Sequence, residues 1–375
     1  MRCRNLVLSS TAAIGLLATS AGAQAATVSP GGALDLTLTG FVRFLAHGGD
    51  LDNARLDRTI GGGLDFSNDT EVHVLARSVH EPSGIEYGGT VEFESDTNET
   101  LNTDETWVFV RGGFGEFRFG DLDGVIENSV VAAQTIAAGT GGIDGTIVDA
   151  IGTTVIHQFD TGDSTKIRYY TPSFGGFSVG ASYTPQVDSD GQDLARKATV
   201  DPTTGRLGPS DRPINDVVEG ALVYEGEFGG FSLLGSLIGS VCDYSPDGGG
   251  DDDCHTWGGG LSTELFGFKL AGSYWTEKLG DAEKTGVTAG IGYGIGPVNT
   301  SVTWGKIIDS DNLESDTGVP LDQPQNLVVS ADLGLMPGLV LGGDVGWFDN
   351  DADGSLPGSL EDDGYQAVMR LDLAF

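Results

Sequence analysis

The sequence is poor in bases and cysteines and, past its first residues, has no long apolar run. Only 19 Lys and Arg stand against 55 Asp and Glu, for a formal charge of −36. A chain of that sign repels phosphate, which argues against nucleic acid as a partner. Beyond residue 25, no stretch approaches the roughly 20 consecutive apolar residues that a membrane-crossing helix needs. There are three cysteines, none in the C-x-x-C spacing of a metal site. The histidines, His47, His73, His80, His157 and His255, are scattered, with no pair at helical metal-ligand spacing. Catalysis therefore finds little support, and the expectation is that the protein is not an enzyme. Acidity combined with 60 Gly would suit a disordered chain, but 17 Phe, 9 Tyr and 5 Trp recur periodically, so the chain folds.

The N-terminus reads as an export signal. Arg2 and Arg4 precede a largely apolar run from Leu6 to Ala18, and Ala23-Gln24-Ala25 fits an A-x-A cleavage site. Residues 1–25 are read as a secretory signal peptide and 26–375 as the mature domain. Loss of Arg2 and Arg4 takes the charge from −36 to −38. Cys3 leaves with the signal. Cys242 and Cys254 remain, spaced to close a short loop by a disulfide in an oxidising compartment, with free thiols as the alternative.

Alternation with a period of two dominates the rest. Counting back from Phe375, Leu373, Leu371, Met369, Ala367 and Tyr365 share one face, and Ala374, Asp372, Arg370, Val368, Gln366 and Gly364 the other. That is a strand with one oily and one wet face, and its length suits a tilted barrel strand. The pattern recurs at Leu34, Leu36 and Leu38; at Val72 and Val74; at Trp107 and Phe109; at Phe177 to Tyr183; at Val287 to Ile295; and at Leu327 to Leu333. Sixteen strands are expected, near 33–46, 60–79, 83–95, 104–112, 114–121, 164–172, 175–184, 217–227, 229–241, 256–266, 267–277, 286–295, 296–308, 325–334, 337–347 and 365–375.

A soluble sandwich would alternate as well, so the connections decide. Short links rich in Gly and aromatics, such as Gly112-Gly113-Phe114-Gly115, Ser173-Phe174-Gly175-Gly176 and Phe266-Gly267, alternate with long acidic ones such as 94–105, 242–255, 309–325 and 348–364. Tight turns at one rim and long loops at the other imply a bacterial outer-membrane barrel, with both termini on the short-turn, periplasmic side. Phe114, Phe174, Phe177, Phe228, Phe231, Phe266, Phe268 and Phe375 gather at those turns, where an interfacial girdle would lie. The expected fold is therefore all-β: a 16-stranded antiparallel transmembrane β-barrel in the outer membrane, in contact with its lipids and lipopolysaccharide.

Three segments carry a resemblance: Thr106-WVFVRGGFGEFRFGDLDG-Val125, Lys166-IRYYTPSFGGFSVGASYT-Pro185 and the terminal Arg370-LDLA-Phe375. With them the chain resembles the Gram-negative trimeric porins, particularly the alphaproteobacterial branch. The resemblance implies a homotrimer of water-filled channels passing small polar solutes and ions by passive diffusion. It also implies that the loop after the fifth strand, 122–163 here, folds inward as a constriction carrying Asp123, Glu127, Asp144 and Asp149. The family's opposing wall is basic. Strand parity places Arg43, Arg77, Arg118 and Arg168 on the inward face, either lining the pore or filling the lumen and neutralising nearby carboxylates. Acid facing base would set a transverse field across the pore. The loop departs from better-known porins in having Gly139-Thr140-Gly141-Gly142 where they carry Pro-Glu-Phe-Gly-Gly.

No cofactor is required on this reading, and calcium is the one candidate. Asp349-Asn350-Asp351-Ala352-Asp353-Gly354 opens like a calcium loop, with Asp349, Asp351 and Asp353 as ligands. Its twelfth position is Leu360, with Glu361 one step late and Pro357 inside, so a plain solvated loop competes with cation bridging to lipopolysaccharide phosphates. Asp251-Asp252-Asp253 is a second such run. The acidic charge predicts a mild cation preference, which the arginine wall opposes. Two rivals to a passive channel stand beside it: a loop-plugged barrel serving as a calcium-linked surface or structural protein, and a substrate-specific channel.

Overall fold

In the computed structural model sixteen antiparallel strands close into a barrel. The structure describes residues 26–28, 34–51, 64–94, 103–149, 160–187, 214–245, 252–280, 282–311, 323–350 and 362–375. The barrel strands are β1 Asp35–Leu51, β2 Asp65–His80, β3 Ile85–Glu94, β4 Thr103–Gly112, β5 Gly115–Asp121, β6 Thr165–Tyr170, β7 Phe177–Gln186 and β8 Ile214–Phe228. They continue with β9 Phe231–Tyr244, β10 Asp252–Leu265, β11 Phe268–Leu279, β12 Ala282–Ile295, β13 Val298–Asp311, β14 Gln325–Met336, β15 Leu339–Asn350 and β16 Asp362–Ala374. Each pairs with its neighbours in sequence, and β16 returns to β1, pairing Ala374 with Phe41 and Gly364 with Leu51. Closure leaves no strand edge for lipid to meet. Among the described residues no helix is long and apolar enough to cross a membrane.

The wet and oily faces lie as the alternation implies. On β16, Tyr365, Met369, Leu371 and Leu373 are exposed outward, while Gln366, Val368 and Arg370 are buried inside. On β14, Leu327, Val329 and Leu333 face out, and Asn326, Ser330 and Asp332 face in. This molecule is thus inverted relative to a soluble protein. Its large apolar side chains cover the outside, where lipid replaces water as solvent.

Differences from the expected pattern are local. Most strands near the long connections run a few residues further than their apolar pattern, because hairpin pairing continues where no lipid selects side chains; β9 extends to Tyr244 and β10 begins at Asp252. An extra strand, Ala26–Val28, pairs with Leu38 to Leu36 on the edge of β1. Trp107 and Phe109 belong to the inner face, not to the oily outer one. Val108 and Val110 are exposed instead, while Phe109 is buried. Four apolar residues in a row carry no parity of their own. Glu105 and Arg111 set it, and the rings then sit under guanidinium groups, with Arg118 Cζ 4.1 Å from the Trp107 centroid and Arg111 Cζ 5.4 Å from that of Phe109.

The short turns carry the aromatic girdle. Phe174 and Phe266 are the most exposed of the set, at 88% and 84%. Phe228 stacks on Phe231 at 5.3 Å and Phe268 meets Tyr293 at 4.6 Å. Phe266 and Gly267 both have positive φ, +53° and +80°, as a two-residue type I′ hairpin turn requires. A bulky residue in that left-handed position is disfavoured locally. Its ring lies where an amphipathic interface favours aromatics.

Candidate functional site

The chain leaves β5 at Leu122 and turns inward. Two short helices, α1 Val125–Ser129 and α2 Thr146–Asp149, and two 3-10 turns, Ala133–Ile136 and Gly142–Asp144, carry it along the inner wall from β7 to β16. Leu122, Val125, Ile126, Ala133 and Ile143 are fully buried there. Ile143 and Ile147 pack with Leu45, Val328, Phe348 and Val368, apolar side chains that the wall turns inward.

Hydrogen bonds fix the path. Such short helical turns leave their backbone N–H groups unpaired, and the wall supplies acceptors in sequence. Val125 N donates to Ser182 Oγ at 3.1 Å, Val131 N to Ser236 Oγ at 3.1 Å, Ala133 N to Thr288 Oγ1 at 3.0 Å and Ala138 N to Ser301 Oγ at 2.8 Å. Further on, Gly139 N donates to Asp332 Oδ2 at 3.1 Å, Thr140 N to Asp344 Oδ2 at 2.7 Å and Ile143 N to Thr303 Oγ1 at 3.1 Å. Small hydroxyl residues let the loop come close. Gly139 lies at φ +69°, and a β-carbon there would collide with the Asp344 carboxylate. Of the glycines that set this loop apart, Gly139 is what lets it lie against the acidic Asp344, and Gly142 lies against Thr303.

Charged side chains gather on the other arc, β1 to β6. Arg118 and Arg168, both buried, are direct cross-strand partners. Arg118 bonds Glu116 at 2.6 Å, and Arg168 Nη1 donates to the Asp123 carbonyl at 2.7 Å. Arg43 bridges Asp69 at 2.7 Å and Asp372 at 2.9 Å. Arg77 stands apart near the short-turn rim; its side chain is 50% exposed and lies 3.6 Å from Glu86. Of the four expected arginines, three are thus buried in the wall and one is peripheral.

Of the expected loop acids, Asp123 and Glu127 lie close enough to act on each other, and Asp144 lies apart. Asp123 lies by β4 and β6, its backbone N donating to Glu105 at 2.9 Å. Burial, then the charges of Glu105 and Glu127, push its carboxyl up to about 8, against the pull of Arg168 and Lys166. Glu127 is raised to about 7 by burial and by Asp160, Glu219 and Asp163. Asp163, at the end of the loop, is raised to about 8 by burial and then by Asp104, Asp123 and Glu105. Asp144 sits half-buried at the far end, on the 3-10 turn packed against β13 to β15. The side chain of Asp149 lies outside the described residues, as do residues 1–25, Asp351 and Asp353. Asp349 accepts a bond from Gln325 Nε2 at 3.0 Å. Cys242 and Cys254 face each other across β9 and β10, disulfide-bonded with Cα atoms 5.1 Å apart.

Other wall groups went unnoticed in the sequence. Arg370 reaches Asp332 at 3.0 Å, Arg111 reaches Glu86 at 2.6 Å, Lys284 reaches Glu277 at 3.2 Å, and Glu71, His73 and Glu92 stand together. The parity rule that found Arg118 applies equally to Glu92, which lies between Val91 and Phe93. The letters G-x-S-x-G occur at 176–180, but on a tight turn and strand β7 instead of the strand-to-helix elbow a nucleophile needs.

The comparisons with known proteins agree with this geometry. An anion-selective porin from Comamonas acidovorans superimposes with a TM-score of 0.60 at 17% identity, covering 91% of this chain and all of its own. OmpT, a Vibrio cholerae outer-membrane protein in trimer form, gives 0.59 at 10% identity over 92% of this chain and all of its own. A Rhodopseudomonas blastica porin triple mutant gives 0.58 at 14% identity over 91% and 100%. No curated protein matches the chain by sequence. The family model described as Gram-negative porin matches residues 10–353. The chain belongs to the Gram-negative porin family and forms an outer-membrane channel.

Proposed function

We propose that this porin passes small polar solutes and ions without a dedicated substrate site, as a homotrimer with a mild preference for cations. The observation that carries the reading is the division of the inner wall. The constriction loop is pinned along β7 to β16 by its own backbone, over buried charges that include the Glu277–Lys284 and Asp332–Arg370 pairs, and a denser set of charged side chains lines β1 to β6. Along β1 to β6, solutes pass a wall dense in paired charges. A cation preference is supported by how the arginines are engaged. Arg43, Arg111, Arg118 and Arg370 all pair with carboxylates, so their charge is largely cancelled locally. Glu105, Asp123, Glu127 and Asp163 crowd together, with Lys166 and Arg168 set against them. The trimer is an extension from the Vibrio neighbour.

Refolded mature protein in planar bilayers tests this. Expected are conductance steps in groups of three, linear in salt, with a reversal potential of cation sign under a salt gradient. Absence of conductance would end the channel reading, and an anion-signed potential would end the selectivity claim alone.

A further inference from the structure

The inner wall holds one cluster that the pore description does not use. Glu71 and His73 lie two residues apart on β2 and so share its inward face. Glu92 on β3 is the direct cross-strand partner of His73. Glu71 Oε1 lies 3.0 Å from His73 Nε2, and Glu92 Oε1 lies 3.6 Å from Nδ1. Glu71 is only 5% exposed. Among the described residues neither its Oε1 nor His73 Nε2 has a hydrogen-bond partner. Two lone-pair atoms, buried and 3.0 Å apart with no hydrogen bond between them, can share a proton carried on the imidazole or a cation held between them.

We infer that Glu71, His73 and Glu92 form a binding site for one divalent cation of the zinc type on the channel wall. One donor atom from each residue can be chosen so that all three lie within 4.8 Å of one another. An ion bonded at roughly 2.0–2.2 Å to each would draw them in by small side-chain movements. Imidazole nitrogen with two carboxylates selects a borderline metal over calcium, which prefers six or more oxygens. Three protein ligands leave a coordination position for water. His73, the least buried of the three side chains, places it toward the lumen.

A second trio, Glu105, Asp123 and Asp163, is spaced as closely. It lacks an imidazole, and the Lys166 charge acts on both of its aspartates, so the wall itself supplies cationic charge there. The two trios therefore predict different behaviour. Metal at Glu71, His73 and Glu92 would also add positive charge to the wall and turn the pore toward anions.

The test uses refolded mature barrel in detergent, stripped with chelator. Zn2+ is titrated by calorimetry, and Co2+ is titrated by visible absorption, which reports nitrogen coordination. The wild type should bind one equivalent. His73→Gln and Glu92→Gln should each weaken binding roughly tenfold or more, and Asp163→Asn should leave it unchanged. Heat-modifiable electrophoretic mobility confirms that each variant is a folded barrel, and the two ligand variants guard against failure of one. Unaltered Zn2+ affinity in both, or no saturable binding by the wild type, would overturn the site. Conductance without metal decides the channel reading separately, and only the Zn2+-induced shift of reversal potential toward anions rests on both.

Discussion

Arg370 on β16 bonds Asp332 on β14 at 3.0 Å across an intervening strand, and the residue between them on β15 is Gly342. A side chain there would collide with the Asp332 carboxylate. Asp332 also accepts the Gly139 N–H of the constriction loop. One missing side chain therefore lets a single carboxylate join the wall to the loop. Gly342→Val should cost about 3 kcal/mol, the scale of breaking a buried pair, and should loosen the loop. The checks are denaturant stability of the refolded barrel and the open-channel noise, which should rise.

Gly139 tests the same seat from the loop side. Its φ of +69° and its closeness to Asp344 leave no room for a β-carbon. Gly139→Ala should cost about 1–3 kcal/mol in backbone strain and change single-channel conductance, while the outer barrel keeps its β circular-dichroism signal. A conductance identical to wild type would mean that the loop is not held there.

Much of this could be read from the amino acids, and the limits have physical causes. Alternation and turn composition gave sixteen strands at nearly their observed positions, because lipid on one side and water on the other sort side chains residue by residue. Arg43, Arg118 and Arg168 followed from the same parity. Trp107 and Phe109 did not, since apolar neighbours on both sides hide the face. The Arg370 to Asp332 bond depends on the register of three strands. The hydroxyls of Ser236, Thr288 and Ser301 look like any wet lining until a loop is laid on them.

The raised loop carboxyls give the pore a pH dependence. Asp123 and Asp163 sit near 8 and Glu127 near 7, above an ordinary carboxyl value of about 4. Each is a raised acid, so the folded state favours the protonated form. It carries no penalty below about pH 4, loses stability as pH rises toward 7 to 8, and levels off above that. In the channel, the same ionisation adds negative charge. Cation selectivity should therefore grow between pH 6 and 9, with Asp123→Asn flattening part of the rise. Reversal potentials at several pH values measure it.

Arg168 is 2% exposed, and its guanidinium holds the Asp123 carbonyl where the chain turns inward. Arg168→Gln removes one wall cation and a charge-assisted bond worth about 1.5–3 kcal/mol. The cation-to-anion permeability ratio should rise and thermal stability should fall together. A stability loss with no change in the ratio would assign Arg168 to holding the loop alone.

The disulfide joins the long-connection ends of β9 and β10. Reducing it, or making Cys242→Ser with Cys254→Ser, should leave conductance unchanged, since the sixteen-strand closure does not depend on it. The connection between the two cysteines should become easier to cleave with protease added from outside.

Phe375 and the short strand Ala26–Val28 share one edge of β1. Phe375 exchanges both backbone hydrogen bonds with Gly40, and Ala26–Val28 takes up the same edge from Leu38 onward, running in the same direction as β16. The two segments thus lie head to tail along a single line. The pairing of Ala26–Val28 is local in sequence, whereas that of β16 with β1 spans the whole barrel, so one line of hydrogen bonds joins a short-range strand contact to the longest-range one of the fold.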